Sequence, residues 1–329
     1  MITRRTALLG CLTAGAVSHV ARSRAALAEP TSRTMLIGSA SGSALDRSGR
    51  SAGACLQGHL TPQIEIAIRN VPGEAGLTML SALAAAPPDG MLFGWVSTPN
   101  ILARMIDRGD AGLLGRIRLV GLIEREPIAF ISRASDPVDS VPDIIRRAGD
   151  DADAVPLATP PAGSPPHLTA LRLQALSQTR LNIVTFPSAA AAAQAVLAGN
   201  VSAAALGLSD AIDGLRDGTL SAIGIAAHRR FGLLPDTPVL TEAGIPLSAF
   251  IGRGIAVPAA TPDEQVERLA AALQAVVADD SFVAEVQANG IHPVWKDGDT
   301  WHAEALAEQE ILAKLWRTDP WLSSAGGAG

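Results

Sequence analysis

The chain has 329 residues, 48% of them hydrophobic, and a formal net charge of −6. That length and apolar content suffice to bury a sizeable core and to build two domains, while the acid excess argues against a nucleic-acid partner.

The first residues read as an export signal. Arg4 and Arg5 form a charged start, residues 7–17 are a short apolar run, and Ala26-Leu27-Ala28 is a small-x-small cleavage site. The run falls short of the roughly 20 apolar residues that a spanning helix needs. A signal peptide over residues 1–28 is therefore expected, with a soluble periplasmic mature protein starting near Glu29. Thr3-Arg4-Arg5-Thr6-Ala7-Leu8 resembles a twin-arginine signal, and paired arginines also occur in Sec signals, so both export routes stay open. Leu8-Leu9-Gly10-Cys11 has the look of a lipoprotein box, but cleavage there would leave almost no apolar segment upstream, and no lipid anchor is expected. The leader holds four of the 26 basic residues and none of the 32 acidic ones, so the mature balance is 22 − 32 = −10. Cys55 is the one mature cysteine, which leaves no internal disulfide.

Strand-length apolar runs follow in chain order at residues 34–37, 64–68, 91–96, 128–131, 155–158, 181–185, 203–206, 223–227 and 255–257, separated by alanine-rich helical stretches. This alternation predicts an α/β architecture. The best-marked helix starts at Pro262, with Thr261 as cap, Glu264 completing a Thr-x-x-Glu box, and an apolar stripe of Val266, Leu269, Leu273 and Val276. A second late helix, over about 301–316, carries Trp301, Ala305, Leu312 and Leu315 at helical spacing, a packing face. The small, polar tail 323–329 is expected to be disordered.

Several segments combine into a larger pattern. Gly38-Ser39-Ala40-Ser41-Gly42-Ser43-Ala44-Leu45-Asp46 is followed by Arg50, then by Asn70-Val71-Pro72-Gly73-Glu74-Ala75-Gly76 and Pro88-Asp89-Gly90. Further on come Gly163-Ser164-Pro165-Pro166-His167-Leu168, Val184-Thr185-Phe186-Pro187-Ser188, the stretch Leu234-Pro235-Asp236-Thr237-Pro238-Val239-Leu240-Thr241-Glu242-Ala243-Gly244, and Pro258-Ala259-Ala260-Thr261-Pro262. In order and spacing these resemble the Bug-type receptors of tripartite tricarboxylate transporters. The segment from Leu234 is the most specific match and the one around Phe186 the poorest. The resemblance implies a two-lobed, periplasmic-binding-protein-like (type II) fold with two interlobe crossovers, lobe 1 being 29–130 with 250–329 and lobe 2 being 131–249. It also implies a small carboxylate ligand and a membrane permease as partner; no cofactor or metal is expected, and the protein is expected to be a monomer.

A carboxylate can be held without a basic side chain at a helix start, where free backbone N–H groups and the positive dipole end face it. Gly42 and Ser43 precede one such start and Gly163 and Ser164 another, with Pro165 and Pro166 at its first positions; Ser188 opens a third helix, ended by Gly199. Ordinary capping is the competing role for Ser43, Ser164 and Ser188. His167, one turn into its helix, either touches ligand or fixes the Gly163 turn; Asp46 either accepts a ligand donor or serves the first-turn dipole. Ser97, Thr98 and Ser209 follow strands, where open α/β sheets place ligands. Against the family pattern, Ser43 replaces a glycine and Phe186-Pro187 replaces Tyr-Lys. The pocket is then more apolar there, and a monocarboxylate or an aromatic or aliphatic acid fits as well as a tricarboxylate.

Two other classes compete. A secreted hydrolase would need a Gly-x-Ser-x-Gly elbow, which is missing, and none of His59, His167, His228, His292 and His302 stands in a His-Glu-x-x-His spacing. A sensory binding protein that hands its loaded form to a membrane kinase has the same sequence features as a transport receptor.

Overall fold

A computed structural model describes residues 32–60 and 64–322; the expected export signal, Cys11 and the tail from residue 323 lie outside the described residues. The chain runs β1 (Ser32–Ile37), α1 (Ala44–His59), β2 (Glu65–Asn70), α2 (Leu77–Ala84), β3 (Leu92–Thr98), α3 (Asn100–Asp107) and then β4 (Ile117–Arg133), a single 17-residue strand. It continues α4 (Val141–Asp150), β5 (Leu157–Thr159), α5 (Pro165–Ser177), β6 (Ile183–Thr185), α6 (Ala189–Leu197), β7 (Ala203–Gly207), α7 (Leu208–Arg216) and β8 (Leu220–Ala226). The return is made by β9 (Phe250–Pro258), α8 (Asp263–Val277), α9 (Asp280–Ala288), β10 (His292–Asp297) and α10 (Gly298–Thr318).

Strand order is β2-β1-β3-β9-β4-β7-β5-β6, with β10 and β8 also on β4. β1, β2 and β3 are parallel, as are β5, β6 and β7, while β4 and β9 run antiparallel to their neighbours. Residues 117–127 of β4 pair with β9, and residues 128–133 pair with β7 and β8. One strand thus serves both lobes of a type II fold, and β9 brings the chain back beside it.

The apolar patterning explains the layers. In the second half of β4, Ile128 and Phe130 enter one core with Ile144 and Leu173, whereas Ala129 and Ile131 enter another with Val196 and Leu206. Alternation of successive side chains across a strand requires this, and it covers the sheet with α4 and α5 on one face and α6 and α7 on the other. The first sheet is covered likewise, by α2, α3 and α10 around Leu102 and Trp301, and by α1, α8 and α9 around Trp95 and Phe282.

The stripe of α8 is buried at Val266, Leu269, Leu273 and Val276, and that of α10 at Trp301, Ala305, Leu312 and Leu315, as their spacing predicts. The expected Thr261 cap does not form. Pro262, with ψ of 142°, is itself the last non-helical residue, so α8 begins one residue later and the Thr261 hydroxyl is left without a partner. Among the described residues no helix is long and apolar enough to cross a membrane.

Candidate functional site

Helices α1 and α7 begin from the two lobes beside the middle of β4. At α1 the sequence builds a closed loop. Ser43 caps the helix, its Oγ accepting from the Asp46 N–H at 3.2 Å, and Asp46 Oδ2 reaches back to the Gly42 N–H at 2.7 Å. Gly42 stands at φ 81°, which glycine adopts without strain. Asp46 also accepts from Arg50 Nε at 3.0 Å and Asn70 Nδ2 at 2.7 Å, and the Ser43 N–H goes to Ala40 O at 3.3 Å. Burial alone would raise the Asp46 pKa; the hydrogen bonds from Arg50, Gly42 and Asn70 outweigh it and hold it at about 2. Asp46, expected among the ligand contacts, is therefore a loop lock, and the Gly42 and Ser43 amides are engaged within the chain. The donors left over at this helix start are the N–H groups of Ala44 and Leu45, beside the exposed Arg47, whose Nη1 steadies the loop through Gly42 O at 2.8 Å.

The start of α5 departs further from expectation. The Gly163 N–H donates to His167 Nδ1 at 3.4 Å, the Ser164 N–H goes to Pro161 O at 2.9 Å, and Ser164 accepts from the His167 and Leu168 amides. Pro165 and Pro166 have no N–H to offer. The Gly163 and Ser164 amides are thus not the free cradle that the sequence suggested, because two prolines remove the donors and the loop consumes the rest. A side chain at Gly163 (φ 77°) would run into the Arg104 guanidinium, which donates to Ala162 O and pairs with Asp107 at 2.8 Å.

His167 is 6% exposed, and burial, then the Arg104 charge, push its pKa down to about 4. The unfolded residue titrates near 6.5, so between pH 6.5 and 4 the unfolded chain takes up a proton that the native one does not, and stability falls as pH falls. At 1.36 kcal/mol per unit the loss is about 3 kcal/mol. We expect His167→Gln, whose side-chain oxygen can still accept from the Gly163 N–H, to flatten this part of the profile. Denaturation of both proteins across pH 4–7 checks it, and parallel profiles would refute it.

The centre of the site came from residues outside the sequence expectations. Bulges in β4 break its alternation between Leu119 and Gly121 and between Leu122 and Glu124, and the second sets Glu124 directly opposite Arg253 of β9. Arg253 Nη1 lies 3.4 Å from Glu124 Oε2 and Nη2 donates to Glu126 Oε2; all three side chains are at most 4% exposed. Ser48 Oγ of α1 donates to Glu124 Oε2 at 2.7 Å. The start of α7 is occupied from within: Glu126 Oε1 accepts from the Ser209 N–H at 2.8 Å and Ser209 Oγ at 2.6 Å. Ser209, expected to line the ligand site, is thus engaged by the protein's own carboxylate. Burial and the neighbouring Glu126 push Asp210, next on α7, up to about 7 against the pull of Arg253 and Arg47.

Two cavities between the lobes lie on opposite faces of β4. The one on the Glu124 face, about 170 Å³, is lined by Ala44, Arg47, Ser48, Glu124, Ser209 and Asn289 among others. The other, about 290 Å³, is lined by Thr98, Arg125, Pro165, Arg172, Phe250 and Trp301 among others. Arg125, pointing the opposite way from its glutamate neighbours, stacks 5.0 Å over the Phe250 ring and meets Glu304 at 2.6 Å. Thr98 Oγ1 accepts from Trp301 Nε1 at 3.3 Å, and Ser97 is buried within β3. Phe186 and Ser188 are elsewhere. They follow β6, the edge strand, separated from β4 by β7 and β5, or about 14 Å at ~4.8 Å per strand. Ser188 is exposed and caps α6, and Phe186 packs on the α6 core.

Away from both cavities, the fold gathers Cys55, His59 and Asp279, whose ligand-type atoms lie within 4.8 Å of one another, a grouping that sequence spacing does not reveal. Asp279 is already engaged as the cap of α9 and by His59 at 3.1 Å, and burial, then Asp279, push the Cys55 thiol up to about 11.

Two lobes sharing paired crossover strands, with a cleft lined by helix starts from each, define a two-lobed solute-binding protein. The sequence profile described as "Tripartite tricarboxylate transporter family receptor" matches residues 55–313, and the chain belongs to that family. A UPF0065 protein of Bordetella bronchiseptica is 24% identical over 288 residues, covering 86% of this chain and 84% of the relative. Among solved structures, Rpa4515 of R. palustris with adipate aligns at a TM-score of 0.75 and 23% identity, covering 88% of this chain and 98% of that one. MatC (Rpa3494) from Rhodopseudomonas palustris with bound malate aligns at 0.74 and 21%, covering 87% and 99%.

Proposed function

We propose that this protein is an exported receptor that captures a small carboxylate between its lobes, without catalysing a reaction, and presents it to a membrane permease of the tripartite tricarboxylate type. The match to the family over residues 55–313 carries this reading. The adipate and malate held by the two structural relatives support the ligand class. In this chain the ligand carboxylate binds at the start of α1, on the Ala44 and Leu45 amides with Arg47 as counter-charge, because the starts of α5 and α7 are already filled from within. The working units are lobe 1, residues 29–130 with 250–329, and lobe 2, residues 131–249. The signal over 1–28 delivers a periplasmic, unanchored monomer by the Sec or twin-arginine route.

A thermal-shift screen of the mature protein against mono-, di- and tricarboxylates tests this. A ligand that binds only the folded state adds about 2.7 kcal/mol at 100 times its dissociation constant. At roughly 2–4 °C per kcal/mol the melting point should rise by about 5–10 °C. Arg47→Ala should weaken the best ligand by about 10- to 100-fold, since hydrogen bonds to charged groups contribute about 1.5–3 kcal/mol. Shifts with sugars and none with any carboxylate would overturn the reading.

A further inference from the structure

The cleft on the Glu124 face contains an acceptor that its own chain does not use. Glu124 is fully buried, its Oε2 takes Ser48 and Arg253, and its Oε1 has no hydrogen-bond partner. It lines the 170 Å³ cavity together with Ser51, whose hydroxyl is also without a partner. A buried carboxylate oxygen left open costs free energy unless a donor reaches it. The charges around it are unbalanced. Glu126 on β4, Asp210 on α7 and Glu285 on α9 join Glu124, against Arg253 on β9 and Arg47 on α1. A ligand of negative charge alone would deepen this excess, whereas one that brings its own cation would not.

Building on the proposed carboxylate site at α1, we infer that the cleft selects a small amino acid, whose carboxylate takes the Ala44 and Leu45 amides and Arg47 and whose ammonium donates to Glu124 Oε1. The cavity supports this pairing because Ala44 and Arg47 line it together with Glu124. Burial raises the Glu124 pKa and holds Asp210 near 7, so an arriving ammonium meets groups that can release a proton to solvent. Affinity for an amino acid therefore rises with pH between about 6 and 8, where Asp210 gains its negative charge. A dicarboxylate bound through a protonated Glu124 would show the opposite slope.

Calorimetry on the mature protein with pairs that differ in the amino group alone separates these: alanine and propionate, aspartate and succinate, glutamate and glutarate, each at pH 6 and pH 8. For the pair that binds, we expect the amino member to bind at least tenfold more tightly at pH 8, and to bind more tightly at pH 8 than at pH 6. Glu124→Gln should reduce the preference to within about threefold, in a protein whose circular dichroism shows it folded. The pH comparison on the unaltered protein stands even if that variant does not fold. A plain acid that binds as tightly as its amino partner overturns the inference while leaving the carboxylate receptor intact, as does a preference that survives Glu124→Gln. Failure of every carboxylate to bind overturns both readings.

Discussion

Arg253→Met should destabilise the protein by about 3–5 kcal/mol, the cost of leaving buried carboxylates without their partner. Arg253 is 3% exposed, Glu124 and Glu126 are fully buried, and the arginine bridges them from the neighbouring strand. Methionine fills much of the same space, so the loss is one of charge compensation rather than packing. Replacing all three together, by Arg253→Met with Glu124→Gln and Glu126→Gln, should recover most of the stability, because no buried ion then lacks a partner. The single variant should also suffer less as pH falls from 7 to 5. Burial raises the Glu124 carboxyl and the Arg253 charge opposes that rise, so without the arginine the native state takes up a proton more readily there and gains stability in acid. Denaturant titrations at both pH values check this, and a loss below about 1 kcal/mol at pH 7 would mean that the cluster is solvated.

The same cluster shows where the sequence was opaque. Residues 128–131 read as a strand because they are apolar without interruption, but β4 extends back to Ile117. Glu124, Arg125 and Glu126 interrupt the run, and three consecutive charges normally mark a solvated turn. Here they sit inside a strand because Arg253, equally out of place in the apolar β9, neutralises two of them across the ladder. A charged triplet flanked on both sides by strand-length apolar segments was the available signal. β10 escaped notice for a different reason: Pro293 and Lys296 suit an edge, and its pairing with β4 breaks register between them. The parallel strands and the stripes of α8 and α10 were legible because burial imposes a period on them. The start of α5 could have been read more closely, since two prolines at its first positions already exclude backbone donors there. What could not be read was that Glu126 fills the start of α7, because nothing local links residues 83 positions apart.

Truncating Trp301 to alanine should cost about 3–5 kcal/mol, the range for removing a large buried aromatic side chain. The residue is 1% exposed on the first turn of α10 and packs in a core that includes Leu102, Leu122, Leu168 and Leu312. Its ring lies against Gly254 of β9, where an added Cβ would come within 2.8 Å of it, so the missing side chain on the strand is what lets the helix approach. Neighbouring backbone at Gly121 and Leu122 is as close to that point, and the strands cannot collapse to fill the space the indole leaves. Trp301→Phe keeps most of the apolar area and loses chiefly the bond from Nε1 to Thr98, a net effect of about 1 kcal/mol that leaves a folded protein for binding measurements. Because Trp301 lines the 290 Å³ cavity and not the one at Glu124, that variant also tells the two faces of β4 apart. Unchanged affinity for the ligand, set beside the loss caused by Arg47→Ala, is the expected result. A ligand weakened tenfold by Trp301→Phe and indifferent to Arg47→Ala would move the binding site to the opposite face.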